Sequence, residues 1–282
     1  MKNILVTGGQ GQLAMCIREL SDNYQELNFC FKSSTELDIT DSLAVSNFID
    51  CQNFDYCINC AAYTAVDNAE KEKERAFSIN AFGVRNLAQA CKTNNVTLIH
   101  VSTDFVFDGK QITPYKEDDS VNPINVYGAS KLNGENFIKQ ILEKYFIIRT
   151  SWVYSEYGNN FVKSMIRLGT TKDEISVVGD QIGSPTYAMD LAEFLIKIIN
   201  SNSKKYSLYH YSNEGEISWY DFAIEIFRLK NINIKINKIY SKEYKTLAKR
   251  PFYSVLDKEK ITKEFGVDVI FWKDSIKKQL SN

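Results

Sequence analysis

An α/β fold, built on a doubly wound parallel sheet with a smaller C-terminal lobe, is predicted by three features of the sequence. A short apolar run, Asn3-Ile4-Leu5-Val6-Thr7, leads directly into Gly8-Gly9-Gln10-Gly11-Gln12-Leu13-Ala14 and then into the helical spacing of Leu13, Cys16, Ile17 and Leu20. From there to about residue 155, short apolar runs alternate with helical segments, the order that builds parallel sheets. Small and polar residues gather where those runs end, the edge at which open α/β sheets hold their ligands.

Composition narrows the function. A chain of 282 residues, 44% hydrophobic, can form one large α/β domain with an attached lobe. A net charge of −1 gives no electrostatic footprint for nucleic acid or an anionic membrane, so neither is an expected partner. No apolar run approaches the roughly 18 residues of a membrane span, and Met1-Lys2-Asn3-Ile4 enters a strand rather than a signal peptide. A cytoplasmic protein is expected. Cys57-Ile58-Asn59-Cys60 has the spacing of a metal or redox pair, but it lies in an apolar stretch with no second pair and no neighbouring histidine. Buried free thiols are expected there. His100 and His210 each end an apolar run far apart in sequence and read as core or strand-end residues, so no metal site is expected.

The first turn has strand, glycines and helix in the order of a Rossmann-type dinucleotide site. Gly8 permits the tight turn, Gly11 lets backbone approach a pyrophosphate, and Ala14 allows close helix–strand packing. Backbone N–H groups from Gln10 through Gln12 and Leu13 would receive the phosphates. The second strand, Leu27 to Phe31, ends in Lys32-Ser33-Ser34 rather than in an acid, which favours a ribose 2′-phosphate and hence NADPH, with NADH as the alternative. Leu37-Asp38-Ile39-Thr40-Asp41 follows; Asp38 and Ile39 are placed to bracket an adenine, and Thr40 or Asp41 caps a helix through Phe48.

The third strand, Tyr56 to Cys60, leads into Ala61-Ala62-Tyr63, whose small residues admit a flat ligand. A long helix is expected from about Asn68 to Thr93, with the charge run Glu70 to Arg75 as its solvated face and Asn80 bridging to a neighbouring strand. The fourth strand, Thr97 to Val101, ends in Ser102-Thr103-Asp104, and the fifth, Phe146 to Ile148, ends in Arg149-Thr150-Ser151-Trp152. Between them Val126-Tyr127-Gly128-Ala129-Ser130-Lys131 opens a helix. Tyr127 and Lys131 share one face of it, roughly 6 Å apart along the axis. An ammonium beside a phenol lowers its pKa and suits it to exchange a proton with a substrate hydroxyl or carbonyl.

Beyond residue 155 a helix begins at Asn159-Asn160-Phe161, followed by a strand at Ile175 to Val178 and the loop Gly179 to Thr186. A helix at Ala188 to Ile199, a strand at Ser207 to Ser212 and a helix at Ser218 to Leu229 come next. Residues 1–155 are read as the dinucleotide-binding domain. Residues 156–282 are read mostly as a substrate-binding lobe, with the chain crossing back to the sheet.

The glycine turn, Ser102-Thr103-Asp104 at a strand end and the Tyr127/Lys131 pair together resemble the extended short-chain dehydrogenase/reductase superfamily, and within it the dTDP-4-dehydrorhamnose reductase family. The resemblance also runs through Asn59 to Asp67, Thr103 to Gly109, Arg149 to Tyr154, Gly158-Asn159-Asn160-Phe161, Asp180 to Thr186 and Arg250-Pro251. It implies hydride transfer to C4 of a nucleotide-linked 4-keto-6-deoxy sugar. Tyr127 would then be the general acid, and Lys131 would tune it and hold the nicotinamide ribose. Thr103 would bond the carbonyl oxygen, and Asp104 would orient a sugar hydroxyl. Thr64, Val66, Trp152, Asn160 and Arg250 would line the nucleotide-sugar pocket. Some members bridge a dimer through magnesium-binding glutamates. The matching positions here are Cys16 and Met189, which suit no hard cation, so any homodimer is expected to form without bridging magnesium.

Two other readings compete. A nucleotide-sugar 4-epimerase or dehydratase would reuse tightly held NAD, but a dehydratase calls for a carboxylate pair beside the threonine, and Thr103-Asp104 is followed by Phe105. A non-catalytic regulatory subunit, of the kind that partners methionine adenosyltransferase, would not need Thr103, Tyr127 and Lys131 together.

Overall fold

The computed structural model describes residues 1–281. In chain order, β1 (Lys2–Thr7), α1 (Gln12–Ser21), β2 (Leu27–Lys32), α2 (Ser42–Asp50) and β3 (Tyr56–Asn59) come first. Then follow α3 (Val66–Ala69), α4 (Lys73–Phe77), a π-helical turn at Ser78–Gly83, α5 (Val84–Thr93), β4 (Thr97–Thr103), α6 (Val126–Ile141) and β5 (Tyr145–Thr150). The second half contributes β6 (Val153–Tyr154), α7 (Phe161–Thr171), β7 (Glu174–Val178), β8 (Ile182–Gly183), β9 (Thr186–Tyr187) and α8 (Ala188–Asn200). It ends with β10 (Ser207–His210), β11 (Ile217–Ser218), α9 (Trp219–Leu229), β12 (Lys235–Ile239), α10 (Glu259–Phe265) and α11 (Trp272–Ser281).

Six strands form one parallel sheet in the order β10-β5-β4-β3-β1-β2. The chain steps outward from β1 to β2, then returns to place β3 on the other side of β1. That reversal opens a crevice at the carboxyl ends of β1 and β3. Side chains alternate between the two faces. Ile4, Val6, Ile58, Ile99, Phe146 and Ile148 belong to one core, whereas Leu5, Cys57, Leu98, Ile147 and Leu208 belong to the other. The first core takes in α1 and α8 and continues without a break into Phe222 and Ile226 of α9 and Trp272 and Ile276 of α11. The second takes in α2, α5 and α6. Residues 188–210 are where the chain crosses back: α8 lies on the sheet beside α1, and β10 forms its edge.

Short pairs assemble the remainder: β6 with β9, β7 with β12, and β8 with β11. Asp41 is the cap of α2, its side chain accepting from Leu43 and Ala44 N–H; Thr40 instead bonds Asp38. The single helix expected from Asn68 to Thr93 is broken. The chain turns at Glu70–Glu72, and Ser78–Gly83 widens into a π turn where the Asn80 side chain bonds the backbone of Tyr63. No helix among the described residues is long and apolar enough to cross a membrane.

Candidate active site

At the crevice, Gly8 has φ +67°, and a Cβ there would lie 2.6 Å from Ala61 N, so glycine alone lets the end of β1 pass the end of β3. Gly11 is the N-cap of α1 and offers no side-chain cap, leaving the first-turn N–H groups for an anion. This cradle fits a dinucleotide pyrophosphate. Gln10 is exposed, while Leu13 is in the core and Gln12 Oε1 accepts from Ser155 Oγ and Asn160 Nδ2. Gln12 and Leu13 therefore face the cradle with backbone. Gly9 N–H donates to Lys32 O at 2.8 Å, which brings the end of β2 to the same corner.

That corner holds an acid after all. Glu36 folds back from the following turn, and its Oε2 accepts from Ser33 N–H at 2.8 Å and Ser33 Oγ at 2.6 Å. Asp38 is exposed and bonds Thr40. Ile39 is 4% exposed and packed into the core against Gly83, so it offers a ligand little of its side chain.

Ala61 and Ala62 line the crevice beyond Gly8, and Tyr63 is pinned by Asn80, which receives its N–H and donates to its carbonyl. The Asn80 amide also reaches Ser130 Oγ on α6. The start of α6 is seated by three contacts. Asn125 accepts from Gly128 N–H, Glu70 accepts from Val126 N–H, and Gly128 lies so close to the Phe105 carbonyl that a Cβ would collide with it. Glu70 is thus more than part of a solvated face.

This seating brings Tyr127 to the end of β4. Its ring packs edge-on against Phe105, 5.8 Å between centres, and its hydroxyl is close enough to Thr103 to be influenced by it. Thr103 Oγ1 bonds Asp104 Oδ1 at 3.0 Å. The expectation that Lys131 depresses the tyrosine is not met. Burial pushes the Tyr127 phenol up to about 12, with the Thr103 hydroxyl opposing the shift. Lys131, 2% exposed, turns instead to Val101 O at 2.6 Å and His100 Nε2 at 3.3 Å. Burial lowers Lys131 to about 8, pulls His100 well below its usual range and raises Asp104 to about 6. One turn beyond Lys131, Glu135 is fully buried and takes a two-pronged bond from Arg149 together with the Ser102 hydroxyl.

Thr64 is exposed and Val66 half-buried on the segment after β3. Arg250 joins this segment through a bidentate pair with Asp67, at 2.6 and 3.2 Å. Trp152, at the end of β5, adopts φ +47° and stacks on Trp219 with ring centres 3.5 Å apart. The Asn160 side-chain oxygen caps α7 by accepting Lys163 N–H, and its amide nitrogen donates to Gln12 Oε1 beside the glycine turn and to Ser155 O. Cys16 and Met189 are buried in the core shared by α1 and α8.

Sequence reasoning missed Glu36, His100, Asp67, Glu70 and Trp219. Glu36 gave a readable signal, an acid three residues after Ser33 in a turn. The others act through contacts made by distant segments and leave no local signature.

A family model described as the RmlD substrate binding domain matches residues 1–282. The dTDP-4-dehydrorhamnose reductase of Aggregatibacter actinomycetemcomitans is 44% identical, over 98% of each chain. The crystal structure of a dTDP-4-dehydrorhamnose reductase from Clostridium acetobutylicum superposes with TM-score 0.95 at 43% identity, over 99% of this chain and 98% of the other. That of a dTDP-4-dehydrorhamnose reductase from Bacillus anthracis, solved in complex with NADP, gives 0.96 at 41% identity, over 100% and 99%. On a full-length family match and relatives alike across nearly the whole fold, the chain belongs to the dTDP-4-dehydrorhamnose reductase family.

Proposed function

We propose that the protein reduces the 4-keto group of dTDP-4-dehydro-L-rhamnose to give dTDP-L-rhamnose, with NADPH as the reductant. The observation that carries this reading is the packing of the Tyr127 ring on Phe105, which follows Thr103 and Asp104 at the end of β4, beside the glycine cradle. When bound, the reduced cofactor supplies the hydride. Tyr127, held protonated at neutral pH by its raised pKa, donates its proton to the C4 oxygen as negative charge develops there. The Thr103 hydroxyl bonds the same oxygen and stabilises that charge. Asp104 receives the Thr103 hydroxyl and is placed to orient a sugar hydroxyl.

Gly8, Gln10, Gly11, Gln12 and Leu13 hold the pyrophosphate through backbone, and Ala61, Ala62 and Tyr63 flank the nicotinamide half. Val66, Trp152 and Arg250 face the nucleotide sugar. In this reading residues 1–155 supply the cofactor site and residues 156–282 most of the sugar site. The protein works in the cytoplasm, and any dimer forms without a magnesium bridge, because the positions in question are core Cys16 and Met189.

The test is loss of absorbance at the NADPH band with dTDP-4-keto-L-rhamnose generated in situ. Substrate-dependent decay in the native chain, lost by about 10²–10⁴-fold in Tyr127→Phe while NADPH still binds, supports the assignment. Decay that persists in the variant removes Tyr127 from the role.

A further inference from the structure

The corner where β2 meets the glycine turn contains an anion site whose occupant is part of the chain. Ser33 follows Lys32 at the end of β2 and is 5% exposed. The chain then turns tightly, with Glu36 N–H and Leu37 N–H both reaching Ser33 O at 3.2 and 2.9 Å. That turn returns the Glu36 carboxylate to the strand end. Its Oε2 takes both the backbone N–H and the hydroxyl of Ser33, at 2.8 and 2.6 Å. Its other oxygen lies 4.0 Å from Lys32 Nζ. Arg18, stacked over Phe31 at 4.0 Å, adds a second positive charge to the neighbourhood.

Two donors of Ser33 thus hold one carboxylate, with the Lys32 ammonium 4.0 Å away. The Ser33 bonds hold it below the usual carboxylate range, so it is ionised at neutral pH. In folds of this type the end of the second strand meets the adenosine ribose. An acid there accepts the 2′-hydroxyl, whereas a cation accommodates a 2′-phosphate. This chain has both, and the acid occupies the donors that a phosphate would use.

We propose that Glu36 sets the choice between the two nicotinamide cofactors. Seated on Ser33, it accepts the 2′-hydroxyl of NADH; a 2′-phosphate binds only after displacing it to reach Ser33, Lys32 and Arg18. The inference rests on the reading that the glycine turn binds a nicotinamide dinucleotide. Displacement is sterically easy, because Glu36 is exposed on a surface turn and can swing out without moving a strand. What opposes it is the loss of two hydrogen bonds and the repulsion between carboxylate and phosphate.

The test is calorimetric titration of the full chain with NAD⁺ and with NADP⁺, comparing native protein, Glu36→Gln and Ser33→Ala. Glutamine keeps the shape and removes the charge, so NADP⁺ affinity is expected to rise about tenfold while NAD⁺ affinity changes less than about threefold. Ser33→Ala deletes one donor and is expected to weaken NADP⁺ more than NAD⁺. Equal changes for both cofactors in Glu36→Gln, or no change for NADP⁺, would overturn the inference and leave the cofactor reading intact. A native chain that bound neither cofactor would overturn both. A thermal melt of each variant checks that it has folded.

Discussion

Lys131 Nζ lies 3.3 Å from His100 Nε2, and the state of that contact is set three residues away by a backbone amide. Ala61 N–H can only donate, and it donates to Asn59 Oδ1, which also accepts from Thr7 Oγ1 at 2.7 Å. The Asn59 amide nitrogen therefore points at His100 Nδ1, 3.0 Å away, and makes that nitrogen an acceptor. The imidazole proton then sits on Nε2, facing lysine. A charged Lys131 presents a donor to a donor; a neutral one accepts. Glu135 and Cys60 are the other ionisable groups that bear on this lysine, and both favour its charged form.

Burial prevails, and Lys131 is lowered from 10.5 to about 8. Between those two values the unfolded chain holds the proton that the folded chain has released, so stability rises with pH across that window. Below it the charged, buried lysine costs about 3 kcal/mol. Lys131→Met removes the titration. Urea unfolding at pH 7, 8, 9 and 10 should show the native-minus-variant difference in free energy climbing toward alkaline pH. A flat difference would mean that the lysine is not perturbed.

Asp104 gives the opposite slope. Its pKa is raised by burial from 3.8 to about 6, so between those values the folded chain keeps a proton that the unfolded chain has lost. Stability contributed at this position falls as pH rises through the window. Asp104→Asn is expected to be more stable than the native chain at pH 7 and no more stable at pH 4. Thermal melts at the two pH values, read as a difference between proteins, decide it.

Glu135 and Arg149 are both at or near zero exposure and joined at 2.7 and 2.9 Å. Removing Arg149 leaves the buried Glu135 carboxylate with the Ser102 hydroxyl and the partly exposed Lys139, 3.6 Å away, in place of a two-pronged partner, a loss of about 3 kcal/mol. Arg149→Met should lose that amount in denaturant unfolding, whereas the double variant Glu135→Leu/Arg149→Met should recover most of it. Additive losses in the double variant would show that the two do not act as a pair.

The strand-turn-helix at Gly8 and the alternation of apolar runs were legible in the sequence because each is a local pattern, and they placed Thr103 and Tyr127 on neighbouring strand and helix ends. The break in the expected helix at Glu70–Glu72 was not legible. It goes with Asn80 bonding Tyr63 and with Glu70 accepting Val126 N–H at the start of α6, both contacts across the fold. The direction of Lys131 was misread for a related reason. Helical spacing fixes which residues share a face, but the partner of a buried ammonium is chosen by the strand beneath it, here Val101 and His100. The Lys32-Ser33-Ser34 reading stopped one turn short of Glu36.

Asp67 holds Arg250 across the mouth of the proposed sugar site. The guanidinium gives both terminal nitrogens to the carboxylate, and Asp67 also accepts Ala248 N–H at 3.0 Å, so one side chain fixes both the loop and the arginine it carries. Asn125, the cap of α6, donates to Lys249 O in the same loop and links it to the helix of Tyr127. Because the pair is partly exposed, its direct contribution to stability is small, within about 1 kcal/mol. In the proposed site its larger effect would be to preorganise Arg250 toward the nucleotide diphosphate. Asp67→Asn is therefore expected to raise KM for the nucleotide sugar about three- to tenfold, with kcat and cofactor affinity nearly unchanged. Arg250→Ala should raise it further. Steady-state kinetics of the two single variants and the double variant check this. If Asp67 acts by aiming Arg250, the double variant is no worse than Arg250→Ala alone. A lower KM in Asp67→Asn would instead mean that the carboxylate competes with the substrate for the arginine.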